Sequence, residues 1–326
     1  MLYLRFMRIL YGIQGTGNGH LSRSSKIINK LKKLGCDVDI VVSGNHHQID
    51  IPHEIKYNLK GFSFSYNSDG SINKFKTFLN SDFSTFLKDI RLNCKDYDRV
   101  ISDFEPVTSW ASKIQSCKSF GISNQYSFLS KKLPRPNNVR YLDEFIIKNF
   151  APCKKYFGLS YDNYEDFIYT PIIRDDVIKN TSSKKEHYVI YLPNQNVLSY
   201  LTTLTSLRKI PFYIFTSEVT KIHSHKNVKI MPVNKNLFLD QFLNCQGVIT
   251  NSGFQTTSEA IYLNKKVLTI PIKGQYEQEV NSNLLTNFNI KVGGTEDISE
   301  FILSSKKTKK VLWNDPTTDI INQILS

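Results

Sequence analysis

Short apolar runs recur along the chain, separated by segments whose apolar residues fall at helical spacing. Met7–Ile13, Val38–Val42, Asp98–Ser102, Ser119–Ser123 and Tyr156–Ser160 read as buried strands, the last one closing the first half. Gly19–Leu34 and Pro106–Ile114 are amphipathic, which predicts crossover helices between parallel strands. Ile55–Asn93 is less regular: strand candidates rich in Phe and Ser precede a predicted helix over Phe75–Arg91, and Pro134–Asn138 reads as a loop. A second series starts at His187–Leu192. It continues through strands Phe212–Thr216 and Val228–Met231, a helix over Leu237–Leu243, strand Gly247–Thr250, a helix beginning at Ser258 and strand Lys266–Ile270. Tyr169–Arg174 and the polar stretch to Lys185 read as a connection, and Pro316–Leu325 as a final helix. The pattern predicts an α/β protein with two Rossmann-like domains, 1–170 and 186–326, joined by a linker over 171–185 and facing each other across a cleft.

Length agrees with this division, since 326 residues suit two domains of ordinary size. No apolar run reaches the length of a membrane span. Met1–Phe6 is apolar but short and carries Arg5, so it lacks the features of a signal peptide; Met7 is a second candidate start. A cytoplasmic location is expected. The five cysteines are scattered and odd in number, without metal-ligand spacing, so neither a disulfide framework nor a zinc site is expected. His46, His47 and His53 read as part of a solvated loop, because adjacent side chains point apart. The formal charge of +13 has two readings. Lys306-Lys307-Thr308-Lys309-Lys310 and Lys131-Lys132-Leu133-Pro134-Arg135 could attract an anionic membrane surface or an anionic glycan, or the lysines could simply solvate helix faces. No nucleic-acid-binding module accompanies the charge, and either a monomer or a homodimer is compatible with it.

The richest chemistry lies at Ile249-Thr250-Asn251-Ser252-Gly253-Phe254-Gln255-Thr256-Thr257-Ser258-Glu259-Ala260. A strand runs into a hydroxyl-rich turn with a glycine where a helix begins, so unpaired backbone N–H groups and the positive end of the helix dipole face outward. Ser252, Gly253, Phe254, Gln255, Thr256 and Thr257 are therefore candidates for a diphosphate seat. Glu259 follows within reach of sugar hydroxyls beside the phosphates. The strand ending before Pro271 leads to Gln275-Tyr276-Glu277-Gln278, where Glu277 and Gln278 have the donor and acceptor character to bind a hexose.

After the first strand comes Gln14-Gly15-Thr16-Gly17-Asn18-Gly19-His20-Leu21-Ser22-Arg23. Its glycines allow close approach of a ligand, and Gly17 and Asn18 are candidate donor contacts, but His20 breaks the dinucleotide spacing. A histidine at the carboxyl edge of an open sheet can take a proton from a hydroxyl; a helix-capping role is the alternative. Arg23, one turn on, could meet a phosphate or an acceptor anion, or form a surface salt bridge. Asp37-Val38-Asp39 and Asp96-Tyr97-Asp98 lie at strand entries, away from the edge where ligands collect, so no metal is called for.

These turns resemble those of GT-B glycosyltransferases, nearest the branch of MurG-like enzymes and UDP-glycosyltransferases (families 28 and 1). The glycine, aromatic, amide, hydroxyl and glutamate of Gly253-Phe254-Gln255-Thr256-Thr257-Ser258-Glu259 fall in register with His-Cys-Gly-Trp-Asn-Ser-x-x-Glu, while Asn251 replaces the histidine. The Pro271-to-Gln278 spacing is similar to the MurG type, and the Gly-x-Gly-His turn to the first turn of GT-B enzymes. The resemblance implies an inverting, metal-independent hexosyltransferase with a UDP-sugar donor and no separate cofactor. His20 would be the general base and Asp103 its partner, with Glu105 as substitute or Asp103 as a helix cap. Val233 would meet the base, Glu259 the ribose. The acceptor would be a glycan, a lipid-linked molecule or a small molecule, in bacterial cell-surface glycan or glycolipid synthesis, with the protein peripheral on the inner membrane face. Phe62, Phe64, Tyr66, Phe75 and Phe78 could line the acceptor site or lie in the core. A UDP-sugar hydrolase or epimerase of the same fold, and a non-catalytic nucleotide-sugar-binding subunit, are the alternatives.

Overall fold

The computed structural model describes residues 6–44, 52–61, 83–179, 186–193 and 195–326. His46, His47, Phe62, Phe64, Tyr66, Phe75 and Phe78 lie outside the described residues. Two seven-stranded sheets organise the described residues. The first contains β1 (Arg8–Gln14), β2 (Asp37–Ser43), β3 (Tyr57–Leu59), β4 (Arg99–Asp103), β5 (Ser119–Ser123), β6 (Lys155–Leu159) and β7 (Ile168–Tyr169). Its order is β3-β2-β1-β4-β5-β6-β7, and every pairing is parallel. The second contains β8 (Tyr188–Tyr191), β9 (Phe212–Thr216), β10 (His223–His225), β11 (Val228–Pro232), β12 (Gly247–Thr250), β13 (Lys266–Thr269) and β14 (Lys291–Val292). It runs β10-β11-β9-β8-β12-β13-β14, parallel except for β10.

Strand order reverses between β1 and β4 in the first sheet and between β8 and β12 in the second. At such a switch point neighbouring crossovers leave on opposite faces, which opens a crevice outside the strand ends. Helix α1 (Asn18–Lys33) leaves β1 beside one crevice. A later helix, Phe254–Tyr262, leaves β12 beside the other. These two helices meet: a Cβ on Gly19 would lie 3.1 Å from the Cβ of Gln255. The two crevices thus form one cleft.

Buried β-branched and aromatic residues explain the sheets. Ile9, Tyr11, Ile13, Ile40, Val42 and Ile101 pack with Leu21, Ile28 and Leu31 of α1, and Val189, Val248 and Val267 serve the second half. Gly12 has a specific reason to lack a side chain, since a Cβ there would lie 2.2 Å from Thr108 Oγ1 and 2.6 Å from Glu105 Oε2. The C-terminal helix, Thr317–Leu325, packs on the first half, burying Ile320, Ile321 and Ile324. Arg99 Nε donates to Ile324 O at 2.9 Å, and Gln323 Nε2 to Tyr169 OH at 2.7 Å.

Three expectations need correction. Tyr156–Ser160 is not the last strand of the first half: Ile168–Tyr169 adds an edge strand too short to show a periodicity. The helix after β12 starts at Phe254, four residues before Ser258, because polar Gln255, Thr256 and Thr257 follow its one apolar residue and leave the helical spacing silent in that turn. Pro134–Asn138 is followed by an amphipathic helix, Tyr141–Phe150, absent from the sequence reading. Of the helix expected over Phe75–Arg91, the described part spans Phe83–Asp89.

Candidate active site

His20 sits in the first turn of α1, past Gly17, whose φ of 130° is readily reached only by glycine. Its Nδ1 lies 2.7 Å from Asp103 Oδ1, at the end of β4, the strand beside β1. Asp103 is fully buried. Burial works to raise its pKa, but Arg23 and His20 beside it outweigh burial and hold the carboxyl below its usual value. An ionised carboxylate only accepts, so the contact places the proton on Nδ1 and leaves the Nε2 lone pair free. Phe104 follows with φ 53°, a left-handed conformation for a bulky residue, and packs its ring 5.0 Å from Phe150 and 5.7 Å from Tyr126.

Arg23 is not on the surface. Its Nε donates to Asp103 Oδ2 at 2.8 Å and a terminal nitrogen bonds Oδ1; that nitrogen also donates to Ser123 Oγ at 3.0 Å and stands 2.8 Å from His20 Nδ1. Ser24 Oγ adds a donor to Asp103 at 2.9 Å. Glu105 does not partner His20. It caps the helix Pro106–Ile114 by accepting from Val107 N and Thr108 N, both at 2.7 Å, which also removes the cap role from Asp103. Burial pushes the Glu105 carboxyl up despite these donors.

Across the cleft, Asn251, Ser252 and Gly253 link β12 to helix Phe254–Tyr262. Gly253 is the N-cap residue and no side chain among the described residues caps this helix, so its terminal N–H groups face the cleft with Gly253, Phe254, Gln255 and Thr256 on the wall. Two expected contacts turn inward instead. Thr257 Oγ1 bonds Gly253 O and Tyr161 OH, at 2.8 and 2.7 Å. Ser252 Oγ accepts from Ser282 at 2.7 Å, and Ser252 N donates to Gln278 Oε1 at 3.2 Å. The Gln278 carbonyl also accepts from Ile272 N at 3.0 Å, so it braces two loops. Asn251 donates to Ile270 O at 2.7 Å, while its buried Oδ1 lacks a partner among the described residues.

Glu259 Oε1 accepts from Arg174 Nε at 2.7 Å and Gln255 Nε2 at 2.8 Å, and Oε2 takes the other arm of Arg174. Arg174, Tyr191, Tyr161 and Gln125 went unnoticed in the sequence; their only signal is position at strand ends or in a connection. Tyr191 OH accepts from Asn18 Nδ2 at 3.1 Å, bridging the two halves. Behind that bridge a recess of about 50 Å³ is lined by Val233, Phe238, Arg174, Thr256 and Glu259, so Val233 and Glu259 are brought together. The main cleft, about 980 Å³, gathers Gly17, Asn18, His20, Arg23, Glu277 and Gln278 opposite the helix terminus. Its other wall is apolar, with Phe86, Phe104, Trp110, Ile146 and Phe150. Glu277 accepts from Gln125 Nε2 at 2.9 Å. Burial raises its carboxyl, with His20, Gln125 and Arg23 pulling the other way.

No three His, Cys, Asp or Glu side chains converge as a metal site among the described residues. Asp39 pairs with Lys56 and Tyr97, and Asp98 accepts from Arg8 N at 2.8 Å, as strand-entry residues do. Lys131 and Lys132 are exposed, but Arg135 of the same run is tied to Glu144. No described helix is long and apolar enough to cross a membrane.

Two Rossmann-like halves whose switch points face one cleft, with a histidine–aspartate pair on one side and an uncapped helix terminus on the other, define a GT-B glycosyltransferase. The chain belongs to glycosyl transferase family 1, whose profile matches residues 7–306. Among solved structures it is similar to MurG of Acinetobacter baumannii, with 11% identity, 98% of this chain and 99% of that chain covered, and a TM-score of 0.53. It is also similar to the glycosyltransferase SnogD of Streptomyces nogalater, at 11% identity, 92% of each chain and a TM-score of 0.54. Arabidopsis thaliana UGT89C1, solved with UDP-L-rhamnose, aligns at 12% identity over 91% of this chain and 89% of that chain, with a TM-score of 0.58. No curated protein matches by sequence.

Proposed function

We propose that the protein is an inverting, metal-independent glycosyltransferase that moves a hexose-type sugar from a UDP-sugar to an acceptor hydroxyl. The observation that carries this reading is the His20–Asp103 pair, with its Nε2 side free, facing an uncapped helix terminus across a cleft. His20 Nε2 takes the proton of the acceptor hydroxyl, and Asp103 stabilises the imidazolium that results. The acceptor oxygen attacks the anomeric carbon from the face opposite the diphosphate. As the new C–O bond forms, the bond to the diphosphate breaks and its electron pair stays on the departing oxygen. The N–H groups of Gly253 to Thr256 and the helix dipole receive that charge without a metal or other cofactor.

The complex of UGT89C1 with UDP-L-rhamnose supports UDP as the nucleotide. Val233 and Glu259 mark the nucleoside side, where the small recess must widen through Phe238 or Tyr191 to admit a nucleoside. Glu277 and Gln278 belong to the sugar side. The apolar wall supports an acceptor with an apolar part. Exposed Tyr141, Leu142 and Phe145 near its mouth, and the net charge of +13, support work at an anionic membrane face on a cell-surface glycan or glycolipid.

The test is titration of the protein with UDP, GDP, CMP and TDP and their sugars, with and without EDTA, following melting temperature and then UDP release. A UDP-selective shift that EDTA does not alter, with release that needs an acceptor, agrees with the proposal. Release into water alone would mark a hydrolase, and no response to any nucleotide would overturn the donor assignment.

A further inference from the structure

A continuous hydrogen-bonded chain joins the base side of the cleft to the donor side. It begins at His20 and Asp103, passes through Arg23 to Ser123, continues to Gln125 and ends on Glu277. The direction of each bond is fixed by chemistry. Arg23 only donates, so Ser123 Oγ accepts its N–H at 3.0 Å and the serine proton must point elsewhere. That proton goes to Gln125 Oε1. With its carbonyl so engaged, the Gln125 amide cannot flip, and its Nε2 donates to Glu277 Oε2 at 2.9 Å.

Gln125 is itself almost fully buried, in the short helix Asn124–Leu129 after β5. Glu277 stands in the first turn of helix Tyr276–Leu285, on the other half of the molecule. Neighbouring ties between the halves bypass this chain: Arg140 donates to Glu279 Oε1 at 2.6 Å, and Tyr276 OH to Glu144 Oε1 at 3.0 Å. Among the described residues, the Gln125 bond connects the helical turn bearing Glu277 to the pair that includes His20.

We propose that Gln125 is a positioning residue: it aims Glu277 at the transferred sugar in register with His20, so that donor-sugar recognition is linked to the base across the cleft. This rests on the functional reading above. Gln125 need not touch substrate. It acts by leaving one carboxylate oxygen of Glu277 free at a fixed place while holding the other.

Gln125→Leu should lower kcat/KM for the nucleotide-sugar donor by about 10- to 100-fold, the range for a hydrogen bond to a charged acceptor, while the Kd for UDP alone stays at the wild-type value. Gln125→Glu sets two carboxylates against each other and should lose at least as much. The reciprocal pair Gln125→Glu with Glu277→Gln rebuilds the contact, because residue 125 still accepts from Ser123 and residue 277 now donates the bridging N–H. The pair should recover most of the melting temperature that Gln125→Glu loses, while kcat/KM stays low because the Glu277 carboxylate is gone. Parallel loss of UDP affinity and kcat/KM in Gln125→Leu, or melting-temperature losses in the pair that merely add, would overturn the positioning role. A wild-type protein that binds no nucleoside diphosphate would instead overturn the functional reading.

Discussion

Arg174 Nε lies 2.7 Å from Glu259 Oε1, which fastens the connection between the two sheets to the helix that ends the candidate diphosphate seat. Both side chains are nearly inaccessible, 9% and 1% exposed. Removing one partner leaves the other charge buried without its counterion, which costs about 3–5 kcal/mol, whereas replacing both by apolar residues is often close to neutral. Arg174→Met should therefore lower the denaturant midpoint strongly, and Glu259→Leu in the same chain should restore much of it. Additive losses would show that the pair is not a coupled unit. Glu259→Ala should weaken nucleotide binding as well, since Val233 and Glu259 share the recess behind Asn18 and Tyr191.

His20→Ala should reduce the transfer rate by about 10²–10⁴-fold, the usual yield of a general base, and leave UDP affinity as it was. An unchanged rate would remove His20 from the mechanism. Asp103→Asn should differ in kind. It disturbs the imidazole tautomer and also strips the buried Arg23 guanidinium of its carboxylate, so it should lose stability that His20→Ala retains. Unfolding curves of the two variants side by side make the distinction.

Gly253→Ala separates ligand contact from folding. A Cβ on Gly253 meets nothing within 4 Å among the described residues, and the backbone φ of −70° suits any residue. Alanine is a poorer N-cap than glycine, which offsets the gain it brings through the unfolded state, so stability should change by no more than about 1 kcal/mol. If the diphosphate docks on this terminus, the added methyl occupies its place and UDP affinity should fall. Unaltered affinity would place the phosphates elsewhere.

The parts of this site that were legible in sequence are those fixed by local pattern. His20 and Asp103 could be placed because each follows directly from an apolar strand, and adjacency of β1 and β4 brings strand ends together. Gly253 and the helix terminus were legible for the same reason. Arg23 was ambiguous because spacing gives a helical residue's face but not what packs against it. The inward turn of Thr257 and Ser252 depended on Tyr161 and Ser282, distant in sequence, and no local signal marks such contacts. Arg174 and Gln125 were missed on similar grounds: each lies in an irregular or short segment whose partner comes from the other half of the chain.

Glu277 and Asp103 should leave opposite marks on the pH dependence of stability. Burial raises the Glu277 carboxyl against the pull of His20, Gln125 and Arg23, so the folded protein keeps that proton at pH values where the unfolded chain, with a pKa of about 4.3, has released it. In that window the folded state binds more protons, and stability falls as pH rises until the raised folded value is passed. Asp103 is held below its usual value; its contribution is present above about pH 4 and is lost as pH falls through the lower folded value. Glu277→Gln deletes the first effect and leaves the second, along with that of Glu105, whose carboxyl burial also raises, in both proteins. The melting temperature of the variant should match the wild type most closely near pH 4, then exceed it by a margin that grows with pH and levels off. Melting curves between pH 4 and pH 8 read this directly, and a margin constant across the range would mean that Glu277 titrates alike in the folded and unfolded chain.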